Sequence, residues 1–187
     1  QLSEAFRQVK LAFDPAGLMN PGKMVDVGPM DDPRTLRYGP DYAVPQALTK
    51  LRLDWSADGG YPGAVEMCNG AGVCRKEGTG VMCPSYMATR DEAYSTRGRA
   101  NALRLAMMGA LGSPEIANER VIEVLDLCLS CKACKSECPS RVDMARLKAE
   151  FTASYYDTRR VPLRSWIFGH IHRLNQLGSL VPWVSNL

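Results

Sequence analysis

Four cysteines lie within eleven residues in the segment Cys128-Leu-Ser-Cys131-Lys-Ala-Cys134-Lys-Ser-Glu-Cys138-Pro139. Three thiolates at steps of three can bind three corners of a cubane cluster, and in two-cluster ferredoxins the fourth, followed by proline, binds the other cluster. Soft thiolates select iron–sulfur clusters or zinc over hard cations. Structural zinc sites generally use paired knuckles that are well separated in sequence, so the crowded spacing favours an iron–sulfur cluster.

A second cysteine loop lies upstream, in Cys68-x5-Cys74-x8-Cys83-Pro84, and Ala71 stands where a middle cysteine would be. Because the cysteine before proline crosses to the other cluster, the seven cysteines sort into two sets. The complete set suits a 4Fe–4S cluster and consists of Cys83, Cys128, Cys131 and Cys134.

The incomplete set consists of Cys68, Cys74 and Cys138. Three thiolates could hold a 3Fe–4S cluster, or a 4Fe–4S cluster whose fourth iron takes a non-cysteine ligand or solvent. The site could also hold no cluster, since the crossing rule concerns complete ligand sets and not a missing ligand. The sequence therefore leaves the number of clusters open between one and two.

The bulk composition excludes several classes of protein. The formal net charge is +3 and basic residues alternate with acidic ones, which disfavours nucleic acid as a partner. An odd count of seven cysteines without a signal peptide argues against a secreted disulfide framework. No apolar stretch approaches the roughly 20 residues that span a bilayer. We expect a cytoplasmic protein without a transmembrane segment.

Apolar periodicity predicts helices and almost no strand, hence a mainly α fold in which helices bracket the two cysteine loops. The first helix should end near Asp14-Pro15, and a later one should have Thr96 as its cap. Ser113-Pro114-Glu115 should begin the next, followed by helices over 143–158 and after Pro162. The helix over 143–158 should have Met144, Leu147, Phe151 and Tyr155 on its inner face. The expected buried face before the second loop carries Ile116, Val121, Val124, Leu125 and Leu127.

Other polar residues give weaker signals. Arg97, Arg99 and Arg104 could offset the negative charge of a cluster, but we expect at least two of them to be solvated. His170 and His172 are the only histidines, and we expect them at the surface. No Ser/His/Asp arrangement is present, so the sequence predicts no catalytic residue in this chain.

The segment Phe13-Asp-Pro-Ala-Gly-Leu-Met-Asn-Pro-Gly-Lys23 resembles the last motif of the flavin-binding oxidase family that includes D-lactate dehydrogenases and glycolate oxidase. In that family the Asn-Pro-Gly turn lies against the flavin. The resemblance therefore implies that Asn20 and Gly22 lie close to FAD.

A series of short motifs runs from Leu53 to Lys148: Asp54-Trp55, Glu66-Met-Cys-Asn-Gly70, Met82-Cys-Pro-Ser-Tyr86, Thr89-Arg-Asp91, Thr96-Arg-Gly-Arg-Ala-Asn101 and Cys128-x-Ser-Cys131-Lys. With these motifs the segment resembles the iron–sulfur portion of bacterial FAD-linked oxidases, which are similar to D-2-hydroxyglutarate or D-lactate dehydrogenases. The domain is similar to the α-helical ferredoxin of glycolate oxidase and succinate dehydrogenase iron–sulfur subunits.

The resemblance implies a fragment in four parts. Residues 1–24 would end an upstream FAD-binding oxidase domain, 25–61 would be an irregular linker, and 62–160 the α-helical ferredoxin. Residues 161–187 would form an amphipathic helix leading to a missing downstream domain, with a peripheral membrane contact as the alternative.

The expected function is transfer of electrons from reduced FAD to a further acceptor, a quinone or a soluble carrier, in a D-2-hydroxy acid dehydrogenase. Two alternatives stay open. One is a non-enzymatic docking module organised by zinc, and the other is a stand-alone ferredoxin-like subunit.

Overall fold

The computed structural model describes residues 2–35, 48, 50–111, 116–180 and 182–185. In this part of the chain every regular element is helical, which confirms the predicted mainly α fold. The α-helices are α1 (Leu2–Phe13), α2 (Gly60–Glu66), α3 (Pro84–Thr89), α4 (Thr96–Met107), α5 (Glu119–Asp126), α6 (Ala133–Glu137), α7 (Met144–Tyr155), α8 (Leu163–Gly169), α9 (Ile171–Leu180) and α10 (Pro182–Ser185).

The chain divides into two compact units, residues 1–43 and residues 44–187. The first unit contains α1, which ends at Phe13, directly before Asp14-Pro15 as the sequence predicts. Proline disfavours helical backbone in the residue before it, which explains this end.

The core of the second unit forms around α4, which packs against α2, α5 and α7. Ala100 and Leu103 of α4 are fully buried. The predicted inner face of α7 is confirmed, since Met144, Leu147 and Phe151 are at most 1% exposed. Each such large apolar side chain contributes roughly 1.5–3 kcal/mol through burial. The cysteine loops therefore extend from a conventional packed helical core.

The predicted helix starts are partly confirmed. Asp143 caps α7, its carboxylate accepting from the backbone N–H of Arg146 at 3.1 Å. For α4 the prediction of Thr96 as cap is wrong, because Ser95 accepts from the N–H of Gly98 at 2.9 Å. Thr96 is instead the first helical residue. Its hydroxyl therefore stays available for a contact with a cysteine.

The helix before the second cysteine loop differs from its prediction. The expected start at Ser113-Pro114-Glu115 lies outside the described residues, and α5 begins at Glu119 with Asn118 as its cap. Val121 and Leu125 are fully buried as expected. Leu127 is 43% exposed, because it follows the last turn of α5.

The predicted amphipathic helix after Pro162 is divided. Helix α8 ends at Gly169 and α9 begins at Ile171, with His170 between them. Neither helix contains a buried residue. Within the described ranges, none of the helices combines the length and the apolar character that crossing a membrane requires.

Candidate iron–sulfur site

One pocket brings together the four cysteines of the complete set. Its cavity volume is about 20 Å³, and it is partly open to solvent. Cys83 stands directly before α3, Cys128 and Cys131 belong to the loop after α5, and Cys134 lies in α6. Helices α3 and α5 therefore bring two cysteine loops, 45 or more residues apart in the sequence, to one place. The other lining residues are Pro84, Ser85, Thr96, Arg99, Leu129, Ser130, Lys132, Met144 and Ala145.

Left-handed backbone shapes both loops at the pocket. Cys83 has φ 54°, Ser130 has φ 54° and Lys132 has φ 60°. Residues other than glycine adopt this conformation rarely and at a cost of order 1–3 kcal/mol, and such strain is concentrated at functional sites. Here it turns the chain between Cys128 and Cys134 sharply enough for both to line the pocket. The strain thus coincides with the positions that bring the thiols together.

The four cysteines differ in how much of each side chain is exposed to solvent. Cys83 and Cys134 are 7% exposed, Cys128 is half-buried and Cys131 is exposed. Leu129, in the same loop as Cys131, is 69% exposed. The pocket is therefore closed on the side of α3 and α6 and reaches the surface at the Leu129–Cys131 loop.

Hydrogen-bond donors point at the buried sulfurs. The backbone N–H of Thr96 donates to Cys83 Sγ at 3.0 Å, and the Thr96 hydroxyl lies 2.8 Å from the same sulfur. Burial raises the pKa of the Cys134 thiol, and the backbone N–H of Met144 opposes that rise. N–H donors stabilise thiolate over thiol. The start of α4 and the start of α7 thus both favour the ligand form of a cysteine.

The two cysteine sets approach each other at Cys74 and Cys83, where each thiol shifts the pKa of the other. The interaction raises the pKa of Cys83, where burial acts in the same direction. It lowers the pKa of Cys74 to about 6, helped by the backbone N–H of Arg97, which donates to Cys74 Sγ at 3.4 Å. The two sets therefore influence each other electrostatically.

The three cysteines of the incomplete set are less closely grouped than the four of the complete set. Cys74 is buried, whereas Cys68 and Cys138 are half-buried against the same core. Arg104 donates to the carbonyl oxygen of Cys68 at 3.2 Å. Among the hydrogen bonds of the described residues, none joins the Cys138 thiol to Cys68 or Cys74. Nor does the described part of the chain contain three His, Cys, Asp or Glu side chains placed to hold a single metal ion.

The expectation that at least two of the three arginines are solvated is wrong. Arg99 is 2% exposed and Arg104 is 5% exposed. Arg97 is half-buried and forms an ion pair with Glu92 at 2.7 Å. Helix α4 is surrounded by other helices, so positions on its inner stripe are buried whatever their charge. The signal that could have shown this is the spacing of Arg99 from Leu103, which repeats the helical period.

Sequence reasoning missed Lys148, which fixes the first cysteine of the second loop. Its ammonium donates to the carbonyl oxygens of Cys128 at 2.8 Å and of Asp126 at 3.0 Å. Asp126 ends α5 and Cys128 follows two residues later, so the Lys148 ammonium lies at the C-terminal end of α5, where the helix dipole favours a cation. Lys148 therefore ties α7 to the loop that carries the pocket.

Glu137 was missed as well, although it directly precedes Cys138. Its carboxylate accepts from the backbone N–H groups of Val81 at 2.8 Å and Met82 at 3.3 Å, and it forms an ion pair with Lys76. The ammonium of Lys76 and the backbone before Cys83 are thus linked to α6. Glu137 joins the two cysteine loops next to one ligand of each.

Comparison with known proteins agrees with this geometry. Residues 64–142 match the 4Fe-4S dicluster domain, and residues 1–24 match the C-terminal domain of FAD linked oxidases. These matches fit the iron–sulfur portion of an FAD-linked oxidase. No solved structure matches the chain.

Several dehydrogenases are similar to the chain over nearly its whole length. The D-2-hydroxyglutarate dehydrogenase of Pseudomonas putida is 27% identical over 91% of the chain and 20% of that protein. The enzyme of the same name from Escherichia coli K12 is 28% identical over 100% of the chain and 21% of its own length. The chain thus spans about a fifth of these relatives.

The turn of the FAD-oxidase segment is organised by Asp14. Its carboxylate accepts from the backbone N–H groups of Leu18 and Met19, both at 2.8 Å. The ammonium of Lys10 donates to the same carboxylate at 2.5 Å, and these bonds lower the pKa of Asp14 to about 2. Asn20 and Gly22 follow with φ 48° and 65°. A charged anchor therefore fixes the backbone that leads into the predicted flavin neighbours.

The last helices of the chain expose apolar and basic side chains together. Trp166 is 49% and Phe168 is 65% exposed. His170 stacks on Trp166 at a centroid distance of 4.6 Å, and His172 is exposed. From residue 158 to 187 the chain has four arginines and no acidic residue. The two histidines are thus local surface residues and have no contact with the cysteine pocket among the described contacts.

Proposed function

We propose that this chain is an electron-transfer module in which Cys83, Cys128, Cys131 and Cys134 hold a 4Fe–4S cluster. The observation that carries the proposal is the pocket these four cysteines share. A structural zinc site generally uses paired knuckles that are well separated in sequence. The crowded spacing of Cys128, Cys131 and Cys134 favours a cluster instead, and N–H groups favour the thiolate form of the buried sulfurs.

A bound cluster would supply storage and release of single electrons. Residues of this chain would determine the environment of the cluster. The backbone N–H of Thr96 donates to Cys83 Sγ, and that of Met144 acts to lower the pKa of Cys134, so both favour the thiolate form. Lys148 holds the loop of Cys128 through its carbonyl oxygen. The exposed Leu129–Cys131 loop would be the side from which an electron reaches a partner.

The upstream partner in this proposal is an FAD domain of the same polypeptide. Its support is the match of residues 1–24 to the C-terminal domain of FAD linked oxidases. Asn20 and Gly22 would be neighbours of FAD, held in place by the Asp14 anchor. Residues 25–61 would then be the linker and 62–160 the ferredoxin domain.

The substrate of the whole protein would be a D-2-hydroxy acid. Its support is the likeness to several D-2-hydroxyglutarate dehydrogenases, of which the chain spans about a fifth. Oxidation to the 2-oxo acid removes two electrons and two protons, and the electrons would leave singly through this module. The residues that bind the hydroxy acid would lie outside this chain.

A second cluster would be held by only three cysteines, Cys68, Cys74 and Cys138. It would be either a 3Fe–4S cluster or a 4Fe–4S cluster with one non-cysteine ligand. The match to a dicluster domain supports this part of the proposal. So does the interaction between the Cys74 and Cys83 thiols, each of which shifts the pKa of the other.

The acceptor would be a quinone or a soluble carrier, reached through a downstream domain that covers the apolar tail. The exposed apolar side chains of α8 and α9 support the proposal that another domain covers this surface. We place the whole protein in the cytoplasm. A peripheral membrane contact of the basic tail would be compatible with a quinone acceptor.

The test is iron and acid-labile sulfide per chain on the anaerobically purified native polypeptide, with EPR before and after dithionite. About four iron and an EPR signal only after reduction would support the complete set alone. About seven or eight iron would support both sets, and a signal before reduction would assign 3Fe–4S to the incomplete one. Zinc without sulfide would refute electron transfer in favour of a docking module.

A further inference from the structure

We propose that the buried guanidinium of Arg99 sets the reduction potential of the cluster held by the complete cysteine set. This inference rests on the proposed function, because it concerns the group that the pocket would hold. It assigns a role to a residue that lines the pocket without being a ligand.

Arg99 is fixed beside the pocket by two neutral acceptors. Its Nε donates to the carbonyl oxygen of Val124 at 3.0 Å, and its Nη2 donates to Ser85 Oγ at 3.0 Å. Ser85 in turn donates to the carbonyl oxygen of Tyr94 at 2.9 Å, so its hydroxyl is also held. Two hydrogen bonds therefore hold the guanidinium of Arg99 beside the pocket.

The positive charge of Arg99 has no carboxylate partner within the described part of the chain. None of the ion pairs there includes Arg99, and both of its acceptors are uncharged. The Asp143 carboxylate, which acts on Cys134, is already paired with Lys135 at 3.1 Å. A charge buried without a counter-ion is costly, unless an anion lies nearby. Among the residues that line the pocket, the anionic groups near Arg99 would be the cysteine thiolates and the cluster that they would hold.

The sign of the effect follows from charge. Four thiolates and four sulfides outweigh the formal charge of four irons, so the cluster is an anion, and one added electron increases its negative charge. A fixed cation stabilises the reduced form more than the oxidised form. In a buried site the attraction is screened less than at the surface. Arg99 should therefore raise the potential and make the cluster easier to reduce.

Lys132 provides an internal comparison. It also lines the pocket and carries one positive charge, but its side chain is exposed. Water and salt screen an exposed charge. If distance to the pocket alone mattered, Lys132 and Arg99 would have similar effects. If burial matters, the effect of Arg99 should be larger and less dependent on ionic strength.

The experiment is a potentiometric titration followed by EPR on the native polypeptide and on Arg99→Gln, Arg99→Lys and Lys132→Gln, with iron and sulfide measured for each. We expect Arg99→Gln to shift the midpoint to a more negative value and Arg99→Lys, which keeps the charge, to stay near wild type. Lys132→Gln should shift it less than Arg99→Gln does.

Each outcome decides the question. A wild-type midpoint in Arg99→Gln overturns the proposal, as does an Arg99→Lys midpoint that falls as far as that of Arg99→Gln. The latter result would mean that only the two hydrogen bonds matter. If Arg99→Gln takes up no cluster, Arg99 serves cluster assembly and the proposal fails.

Failure of this inference is distinguishable from failure of the proposed function. A wild-type protein with iron, sulfide and a reducible EPR signal, whose midpoint does not respond to Arg99, retains its electron-transfer role. A wild-type protein without iron and sulfide loses that role, and the variants are then not needed.

Discussion

The indole N–H of Trp55 donates to Glu150 Oε2 at 2.9 Å across 95 residues of sequence. The same carboxylate accepts from the backbone N–H groups of Arg52 at 2.7 Å and Leu53 at 2.8 Å. Glu150 is 1% exposed, and the guanidinium of Arg146 stacks on the Trp55 ring at 4.0 Å. This buried carboxylate fastens the segment before α2 to α7, the helix whose first residues line the cysteine pocket.

Replacing Glu150 should destabilise the second unit. In Glu150→Gln one carboxylate oxygen becomes an amide NH2 that faces N–H donors, so at least one buried donor loses its acceptor. We expect a loss of about 1.5–3 kcal/mol in the free energy of unfolding. Urea denaturation under anaerobic conditions, followed by circular dichroism, measures it. Glu123→Gln, at an exposed position of α5, is the control and should change stability by less than about 0.5 kcal/mol. Equal values for the two variants would contradict a structural role for Glu150.

Glu150 should also make stability depend on pH. Burial raises its pKa, but the donors Trp55 Nε1–H, Arg52 N–H and Leu53 N–H outweigh burial, and the net pKa is lowered from 4.5. As the pH falls, the unfolded state therefore binds the proton first. The contribution of Glu150 is full above about pH 4.5 and is lost as the pH falls through the lower, folded value.

The measurement for this pH dependence is the difference in unfolding free energy between wild type and Glu150→Gln from pH 7 to pH 3. We expect the difference to be constant near neutral pH and to shrink on acidification. Taking the difference cancels any acid lability that the two proteins share. A difference that grows towards low pH would mean that the folded pKa is raised instead.

These contacts show how much of the fold the sequence could predict. Local signals predicted the end of α1 before Pro15, the start of α7 at Asp143 and the inner face of α7, because neighbouring residues determine each of them. Burial of Arg99 and the contacts of Glu150 depend on segments that meet only in the fold. Single-sequence periodicity carries no such pairing information.

The arrangement of the cysteines could be predicted in part. The crossing rule groups Cys83 with the cysteines of a loop 45 or more residues away, and the structure places them around one pocket. Spacing could make this prediction because cluster geometry restricts which ligands can converge. The contacts that Glu137 makes with the first cysteine loop could not be predicted in the same way. The sequence does not indicate which partner an acidic residue before Cys138 will contact.

Removing the Glu137 carboxylate should loosen the two loops and speed the loss of a bound cluster. Glu137→Ala leaves the N–H groups of Val81 and Met82 without their acceptor. We expect iron to be released to a chelator several-fold faster than from wild type, with unfolding free energy lower by about 1–3 kcal/mol. Lys76→Met is the matched variant and should have a smaller effect, because it removes the ion pair and keeps both backbone bonds. If both variants released iron at similar rates, the faster release would come from loss of the ion pair and not from loss of the two backbone hydrogen bonds.

Single cysteine substitutions should separate the two sets. Cys131→Ser removes a ligand of the complete set at its exposed corner, where a serine hydroxyl fits without disturbing the core. We expect it to lower iron by about four per chain and to abolish the EPR signal that appears on reduction. Cys68→Ser, in the incomplete set and half-buried, should leave those four irons in place. The measurement is iron and sulfide with EPR on anaerobically purified variants. Loss of all iron in Cys68→Ser would show that the two sets assemble together, and unchanged iron in Cys131→Ser would contradict the assignment of the pocket.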